Sequence, residues 1–400
     1  MSRRTFIKQS SLLVGGVLLN NELLRANTFN SKEKIKLGVI GTGSRGRGCM
    51  GLIKKLPDQF TITALCDIMD FQLKPAQEMC PDAKSNKDYR QLLDDKNVQA
   101  VFIATPLFLH YPMASHALKA GKHVYLEKPM TYSIEQAIAL VKEAKEHSNQ
   151  VLQIGYQLPY SPLYKKIMEM IEKGYLGKVT QIHCRFDRNG SWRLPLPDPS
   201  LEKIVNWRMY REFCGGITTE LLSHQMDFIN RAFNTHPDEI FSTGGIDFYK
   251  DGRTTFDNVE VMMRYNKDNM IGNFGGTCAN EREGFTFKIK GSKGTVELLL
   301  DEGLYYPEAD TKKQLETVDG VAGATKIEWN DKGGIPIIKG PVPEATSLAF
   351  SDFYNCIIEK KLPASNVFAG RKAAICAHLA NHALDTRTMQ TWKPEYDIFK

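Results

Sequence analysis

Hydrophobic residues in the first third of the chain form short continuous runs, separated by polar segments with helical spacing. Such runs are typical of strands buried on both faces of a parallel sheet. Ser133 and Gln136 form a capping box that predicts a helix over residues 134–146. The regular alternation of strands and helices with short connections predicts a doubly wound parallel sheet. The predicted strands are residues 35–40, 61–67, 98–105, 123–129 and 151–157.

The pattern changes after residue 157. A predicted helix over 163–173 precedes long runs in which apolar and polar residues alternate, and two helices over 343–360 and 366–384 close the chain. Alternation is typical of antiparallel strands with one covered face. The predicted fold class is therefore α/β, with an N-terminal Rossmann-type doubly wound sheet and a C-terminal α/β domain that holds a large, mostly antiparallel open sheet. We expect the two domains to span residues 33–157 and 158–390.

The first 30 residues are predicted to be a signal and linker. A twin-arginine pattern, SRRTFIK, is followed by the apolar core SLLVGGVLL and by Leu24-Arg25-Ala26, which suits cleavage near Ala26. This pattern predicts export to the periplasm, and the alternative is a disordered basic tail. No cysteine follows the apolar core, so no lipid or membrane anchor is expected.

Charge and cysteine content narrow the possible partners. Removal of residues 1–26 takes away four basic side chains and one acidic side chain, so the formal charge falls from +6 to +3. This excess is too small to predict a nucleic-acid partner. The eight cysteines show neither C-x-x-C nor metal-ligand spacing. No metal is expected, and Cys66 and Cys184 are predicted to be buried thiols.

A glycine-rich loop follows the first strand directly. Gly41-Thr42-Gly43-Ser44-Arg45-Gly46 is a G-x-G-x-x-G motif between a strand and a helix, and Asp67 ends the next strand. In dinucleotide-binding units such glycines allow a tight turn, a close approach to pyrophosphate and close helix packing, while the acid binds ribose. The pattern predicts a bound dinucleotide, and the alternative is a purely structural turn.

Other candidate cofactor residues lie at the carboxyl ends of the predicted strands, where ligands of such sheets bind. Asp67 should favour NAD over NADP because it would repel a 2′-phosphate, although Arg45 could bind that phosphate and keeps NADP open. The full predicted cofactor set is Gly41, Gly43, Ser44, Arg45, Gly46, Asp67, Thr105, Pro106, His110, Glu127, Lys128 and Gln157.

Two segments contain candidate catalytic side chains. Lys128 follows a strand between Glu127 and Pro129, where its ammonium could bind a substrate oxygen, and the alternative is a solvated lysine. In the predicted helix 215–233, Glu220, His224 and Asp227 fall on one face at 100° per residue. A histidine held by a neighbouring carboxylate can act as a general base. The alternatives are an amphipathic surface helix or a zinc site, and the latter lacks a second histidine at four-residue spacing.

Together these motifs resemble the Gfo/Idh/MocA family of sugar oxidoreductases. The resemblance rests on the glycine loop, Ala104-Thr105-Pro106, Glu127-Lys128-Pro129, residues 153–157 and the helix with His224. It implies a nicotinamide cofactor, hydride transfer beside Lys128 and His224, and homo-oligomers formed through the open sheet. The family's usual aspartate four residues before the histidine is Glu220 here, so its proton-relay role could instead fall to Asp227.

We therefore expect an NAD(P)-dependent oxidoreductase acting on a hydroxyl of a sugar, polyol or glycoside. Outside the cytoplasm, the cofactor would have to stay bound and be regenerated in place. The alternatives are an NAD-dependent glycoside hydrolase that uses transient oxidation at C3 and elimination, and a cofactor-bound sensing module. Aromatic and guanidinium groups suit a sugar ring, and the candidate substrate contacts are Tyr156, Arg188, Trp192, Arg193, Trp207 and Arg208.

Overall fold

The computed structural model describes residues 34–318, 321–322, 329–331 and 333–397. The predicted signal and linker, residues 1–30, lie outside the described residues. Within that part of the chain, no helix is long and apolar enough to cross a membrane.

The apolar runs near the start of the chain form a parallel sheet, as predicted. In the described residues its strands are β1 (Ile35–Ile40), β2 (Phe60–Cys66), β3 (Lys84–Asn86), β4 (Ala100–Ile103), β5 (His123–Leu126) and β6 (Leu152–Ile154). The order across the sheet is β3-β2-β1-β4-β5-β6, with every neighbouring pair parallel. The winding direction reverses between β1 and β4, and a ligand cleft is expected at that switch point.

Helices connect these strands at the positions that the spacing predicts. They are α1 (Ser44–Ile53), α2 (Asp70–Met79), α3 (Tyr89–Asp94), α4 (His110–Lys119) and α5 (Ile134–Glu146). The predicted capping box at α5 is present in a modified form. Ser133 Oγ accepts a hydrogen bond from Gln136 N at 3.2 Å, while Gln136 Oε1 accepts one from Tyr132 N at 3.1 Å.

The second half of the chain forms a larger sheet with one covered face. Its described strands are β7 (Val179–Asn189), β8 (Glu239–Gly245), β9 (Asn258–Tyr265), β10 (Met270–Thr277), β11 (Ala279–Gly291), β12 (Gly294–Leu298), β13 (Gly303–Pro307), β16 (Ile335–Pro336) and β17 (Gln390–Thr391). Their order across the sheet is β16-β13-β12-β11-β7-β10-β9-β8-β17, and among these described strands only the β7–β10 pair is parallel. Two further strands, β14 (Thr317–Val318) and β15 (Val321–Ala322), form a separate hairpin.

The helices of this half are α6 (Pro162–Glu172), α7 (Glu202–Val205), a π-helix (Thr218–Leu222), α8 (Ser223–Ala232), α9 (Ala309–Glu316), α10 (Ala345–Glu359) and α11 (Val367–Thr386). The π-helix, α8 and α11 pack on one face of the larger sheet and leave the opposite face open, whereas α10 packs against the first sheet. Short 3-10 turns occur at Leu107–Leu109, Leu158–Tyr160, Pro199–Leu201, Trp207–Met209 and Pro394–Asp397. On the open face, Phe241, Met262 and Ile271 are 39–50% exposed on three adjacent strands.

The two halves share their cores through the last long helices. Phe350 of α10 stacks on Tyr125 of the first sheet, with ring centroids 4.3 Å apart, although α10 falls in the segment expected to belong to the second domain. Helix α11 packs against both α5 and α8. All eight cysteines are free, and Cys66 and Cys184 are buried thiols as predicted.

Candidate functional site

The glycine loop turns the chain from β1 into α1 and leaves the helix N-terminus open. Gly41 has φ +91°, and a Cβ at Gly46 would overlap the backbone oxygen of Gly41, so both positions require glycine. A Cβ at Gly43 would meet nothing within 4 Å. No side chain caps α1 and no acidic residue lies in its first turn. The free N–H groups at this positive helix end therefore form a site for an anion such as a pyrophosphate.

Asp67 holds the glycine loop from the end of β2. Its Oδ2 accepts hydrogen bonds from Thr42 N at 2.8 Å and Thr42 Oγ1 at 3.2 Å, and its Oδ1 accepts one from Met69 N at 2.9 Å. The carboxylate is 8% exposed and lines the cleft. Because Oδ2 already accepts two hydrogen bonds and Oδ1 only one, Oδ1 keeps a lone pair for a further donor, such as a ribose hydroxyl.

Arg45 connects the loop to the segment after β5. Its Nε lies 2.7 Å from Oε1 of Glu127, whose side chain is almost fully buried. The Glu127 charge is the main cause of the raised pKa of the Arg45 guanidinium. Arg45 is therefore engaged at the end of β5 through its Nε, and a 2′-phosphate, which the sequence left open as a partner of Arg45, would compete with Glu127 for this guanidinium.

His110 joins two strand ends through its ring. Its Nδ1 lies 2.7 Å from the Pro129 backbone oxygen and its Nε2 lies 3.0 Å from the Thr105 backbone oxygen. Burial lowers the pKa of His110, whereas the two backbone carbonyls and the charges of nearby acids raise it. The neutral ring can donate to only one of the two carbonyls at a time. His110 thus fixes the Lys128–Pro129 segment, whose peptide bond is cis, against the start of α4.

Lys128 reaches from the first domain to the helix of the second. Its Nζ donates a hydrogen bond to the backbone oxygen of Glu220 at 2.7 Å. Burial lowers the pKa of the Lys128 ammonium, and the charges of Glu220 and Glu127 oppose that shift. The receiving carbonyl lies in the π-helix Thr218–Leu222, a wide turn of the kind found at functional sites.

The π-helix changes the arrangement that the uniform helical spacing predicted. Glu220 Oε2 accepts a hydrogen bond from Arg208 Nε at 3.0 Å, and Asp227 Oδ2 accepts one from Arg231 Nε at 2.7 Å. Neither carboxylate hydrogen-bonds to His224 among the described residues, so the expected carboxylate–histidine pair is absent there. The reason is geometric, because the wider turn before Ser223 breaks the 100° spacing between Glu220 and His224.

His224 is buried among aromatic rings. Its ring meets Tyr156 edge-on with centroids 5.7 Å apart, and Phe186 lies at 6.5 Å. His224 Nδ1 is buried and has no hydrogen-bond partner in the described part of the chain. Burial, followed by the charges of Lys128 and Arg45, lowers the pKa of His224 well below 6.5. The imidazole is therefore neutral at pH 7.

One cleft of about 640 Å³ brings most of the predicted residues together. The predicted residues on its wall are Gly41, Gly43, Ser44, Arg45, Asp67, Thr105, Pro106, His110, Glu127, Lys128, Trp207, Arg208 and Glu220. Gly46 lies behind the loop. The other predicted residues away from this wall are Tyr156, Gln157, Arg188, Trp192, Arg193, His224 and Asp227.

Sequence reasoning missed two parts of the wall. Ile68, Met69, Lys87 and Tyr89 extend the cleft beyond Asp67, and Lys203, Ile204 and Val205 line it from the second domain. The position of the first group directly after β2 and β3 could have identified it. No local pattern marked the second group.

The candidate substrate contacts differ in how free they are. Arg193 forms ion pairs with Glu202 and Asp251, so its guanidinium holds the loop. It is therefore not available to contact the substrate, contrary to the prediction. Tyr156 is 1% exposed, and its hydroxyl has no hydrogen bond among the described residues. Arg188 and Arg208 stack on Trp192 and Trp207 respectively, with 4.6 and 4.1 Å from guanidinium carbon to ring centroid.

A six-stranded Rossmann sheet, an open glycine loop and a second domain with a mostly antiparallel sheet define a two-domain dinucleotide-binding protein. Comparison with known families agrees. Residues 35–156 match the NAD-binding Rossmann fold of the Gfo/Idh/MocA oxidoreductase family, and residues 164–297 match a C-terminal domain of the same family. The chain belongs to the Gfo/Idh/MocA family, and its N-terminal domain is an NAD-binding Rossmann domain.

Individual relatives match over part of their length. An uncharacterised oxidoreductase of Synechocystis sp. is 35% identical over 51% of this chain and 53% of its own. An inositol 2-dehydrogenase/D-chiro-inositol 3-dehydrogenase of Lactiplantibacillus plantarum is 31% identical over 38% and 43%. The matches thus span about half of these relatives. A levoglucosan dehydrogenase solved with NADH and levoglucosan shares the fold, with a TM-score of 0.73, 18% identity, and coverage of 90% and 99%.

Proposed function

We propose that this protein is an NAD-dependent oxidoreductase that acts on a hydroxyl group of a sugar, polyol or glycoside. The observation that carries the proposal is Lys128, a buried ammonium that lies on the wall of the dinucleotide cleft. The name of the inositol dehydrogenase relative supports a polyhydroxylated substrate.

The cleft fits a dinucleotide on the geometry of this chain alone. The uncapped N-terminus of α1 and the open space at Gly43 would hold the pyrophosphate, and Asp67 would accept hydrogen bonds from the adenosine ribose. The pairing of Arg45 with Glu127 and the negative charge of Asp67 both support NAD over NADP. When bound, NAD supplies the acceptor for the hydride that leaves the carbinol carbon.

Residues of this chain would position the substrate hydroxyl and accept its proton. Lys128 would donate a hydrogen bond to the substrate oxygen and fix its position beside the cofactor cleft. His224 does not line the cleft wall, but Lys128 and Arg45, which do, are close enough for their charges to act on it. Its ring is neutral, so it can accept the hydroxyl proton of a substrate that reaches it without first losing a proton of its own. Since burial lowers the pKa of His224, we expect the rate to remain constant through pH 6.5 and to fall only at lower pH.

Retention of the cofactor is part of the proposal. We infer that the chain is exported by the twin-arginine route to the periplasm, where the dinucleotide stays bound and is regenerated in place by a second sugar. Fractionation of cells that produce the Arg3→Lys/Arg4→Lys variant tests export, with Arg25→Lys as the control. Accumulation of the double variant in the periplasm would contradict this route.

The open face of the second sheet supports assembly into homo-oligomers. Phe241, Met262 and Ile271 give neighbouring strands an exposed apolar surface. We expect Met262→Asp to lower the molar mass measured by light scattering, while Lys250→Asp, on a loop outside these strands, leaves it unchanged. A monomeric wild-type protein would contradict the proposal.

The principal experiment combines mass and absorbance. Native mass spectrometry of protein purified without added dinucleotide should show bound NAD, and a panel of sugars should produce the ultraviolet absorbance of reduced nicotinamide. Lys128→Met should lower this rate about 10³-fold because it removes the donor to the substrate oxygen. Lys122→Met is the matched control, since Lys122 is also buried and also donates to backbone carbonyls, at 2.7 and 2.9 Å, outside the cleft.

The outcomes separate the candidate functions. Full activity of Lys128→Met would contradict the proposed mechanism. Release of nitrophenol from nitrophenyl glycosides without net reduction would support the glycoside hydrolase instead. Bound NAD with neither reaction over the whole panel would support the sensing module.

A further inference from the structure

Arg188 is a basic side chain on the covered face of the second sheet. It lies near the end of β7, two residues after Phe186, so both side chains are on the same face of the strand. Phe186 contacts His224 on that face, which places Arg188 on the His224 side of the sheet. Arg188 Nε is buried and has no hydrogen-bond partner, and the guanidinium forms no ion pair, among the residues described.

Arg188 is part-exposed as a residue, but its Nε is a buried donor without a partner, and buried polar atoms are normally hydrogen-bonded. Arg185, three residues earlier on the opposite face, is paired with Glu260 and Asp187. Burial lowers the pKa of Arg188, the Cys278 thiol opposes this shift, and the charge of Arg208 adds to it. Arg188 therefore has a buried donor that a bound anion would satisfy.

Arg208 is close enough for its charge to act on Arg188, and it lies on the cleft wall. Its Nε donates to Glu220, and its two terminal nitrogens have no hydrogen-bond partner in the described residues. Lys128 is also near, since its ammonium is bound to the Glu220 backbone. With Arg45 and Glu127, whose charges also act on Lys128, four cations lie in a region where Glu220 and Glu127 supply two carboxylates. Arg188 is the one of the four that does not line the cleft wall.

The loop that follows Arg188 is held in an unfavourable conformation. Trp192 has φ +63°, a left-handed conformation that bulky residues rarely adopt and that costs free energy unless the surroundings impose it. The ion pairs of Arg193 with Glu202 and Asp251 hold the next residue. The result is an indole placed flat against the Arg188 guanidinium.

From these observations we propose that Arg188 and Arg208 bind an anionic group carried by the sugar, so that the preferred substrate is an acidic sugar. The planar guanidinium groups would bind a carboxylate or a sulfate ester with paired N–H donors, and the Trp192 and Trp207 rings would pack on the C–H faces of the sugar. The anion would supply the missing partner of Arg188 and balance the excess positive charge beside Lys128. This inference names the substrate class of the proposed oxidoreductase and rests on that proposed function.

The test compares matched neutral and acidic sugars on the protein with its bound dinucleotide. The probes are D-glucose with D-glucuronate and D-glucose 6-sulfate, and D-galactose with D-galacturonate. Calorimetry measures their dissociation constants, and the absorbance of reduced nicotinamide measures kcat and KM. We expect one acidic member to bind about 10- to 100-fold more tightly than its neutral partner, which is the usual range for a charged hydrogen-bonded pair.

Variants connect that preference to the arginine. Arg188→Met should remove the preference and raise KM for the acidic sugar far more than it lowers kcat. Arg188→Lys should restore part of the affinity, because it keeps the charge without the paired donors. Arg264→Met, whose guanidinium contacts Asn266 elsewhere in the same sheet, is the control and should keep the preference.

The outcomes distinguish a failure of the anion site from a failure of the proposed oxidoreductase function. Tighter binding of the uronates identifies a carboxylate as the anion, and tighter binding of the sulfate identifies the ester. Equal binding of neutral and acidic members, or a preference that survives Arg188→Met, overturns the anion site even if neutral sugars are oxidised. Selective binding of an acidic sugar without any reduction of bound NAD leaves the anion site in place and contradicts the oxidoreductase.

Discussion

On the dinucleotide side of the cleft, buried polar groups bond to one another, whereas on the substrate side several have no partner among the described residues. The first side comprises the glycine loop, Asp67, His110 and Glu127, and there both carboxylates and the imidazole contact protein groups. The hydroxyl of Thr105 is an exception. The unpartnered buried atoms of the substrate side include Tyr156 Oη, Gln157 Oε1, Arg188 Nε, Thr218 Oγ1, Glu220 Oε1, His224 Nδ1 and Asp227 Oδ1.

The difference shows which wall is complete without its ligand. Internal hydrogen bonds fix the shape of the dinucleotide side, so binding there requires little reorganisation. A buried polar atom without a partner costs free energy that a bound hydroxyl or anion can recover. The substrate side therefore gains the most from being occupied.

The largest expected effect comes from Gly46→Ala on the dinucleotide side of the cleft. The new Cβ would overlap the Gly41 carbonyl, so we expect loss of bound dinucleotide and a free energy of unfolding lower by about 3 kcal/mol. Native mass spectrometry and urea unfolding measure both effects. Gly51→Ala in the same helix has open space and should stabilise by up to about 1 kcal/mol. Retention of dinucleotide by Gly46→Ala at wild-type stability would show that the loop is not fixed.

A pair of histidine variants tests the comparison directly. His224→Phe should lower kcat at least about 100-fold and leave the free energy of unfolding within about 1 kcal/mol, since it removes a nitrogen that has no partner. His110→Phe should destabilise by about 1–3 kcal/mol, because it removes the one N–H that the neutral ring offers to the carbonyls of Thr105 and Pro129. Urea unfolding measures the stability of each variant, and steady-state kinetics measure kcat. Equal losses of stability in His224→Phe and His110→Phe would contradict the distinction between the substrate side and the dinucleotide side.

Low pH should reduce the free energy of unfolding through His378 of α11. Its Nε2 donates to the Thr131 backbone oxygen at 2.8 Å, and burial lowers its pKa from 6.5 to about 4. Because the unfolded chain takes up the proton first, stability is lost as the pH falls from 6.5 to 4, by about 3 kcal/mol in total. His378→Gln keeps a donor without titrating, so unfolding at pH 7 and pH 4 should differ less. His147→Gln at a part-exposed position is the control, and an unchanged pH dependence in His378→Gln would contradict the assignment.

The smallest expected effect is at the Arg45–Glu127 ion pair. The Arg45 side chain is 41% exposed, so solvent screening limits the cost of Arg45→Met to about 1–2 kcal/mol of unfolding free energy. The double variant Arg45→Met/Glu127→Gln should recover part of this loss, with a coupling near 1 kcal/mol in a double-mutant cycle. Strictly additive losses would show that the pair does not contribute to the fixed wall.

Much of the first domain could be predicted because local pattern and tertiary environment agree there. Strand β4 is apolar throughout and buried throughout, and α5 begins and ends at the residues that its cap and period predict. The carboxyl ends of parallel strands meet at one edge of a sheet, so the glycine loop, Asp67 and Lys128 reach one cleft without further information.

The remaining features depend on partners distant in sequence. The wide turn at Thr218–Leu222 has an ordinary helical composition, and its acceptor for Lys128 lies 92 residues from that lysine. Arg193 was expected to contact substrate, but its partner Asp251 lies 58 residues away on another loop. The sequence predicted a closing helix over 343–360 without indicating which of the two sheets it covers.

The position of α10 has a consequence for how the protein is made. Phe350 and Phe353 complete the packing around Tyr125 at the centre of the first sheet, yet they lie far along the chain from the glycine loop that this sheet carries. The glycine loop is synthesised well before α10, and the core behind it closes only when α10 has been added. We therefore expect stable dinucleotide capture to require α10, because without it the glycine loop would lack the packed sheet that supports it.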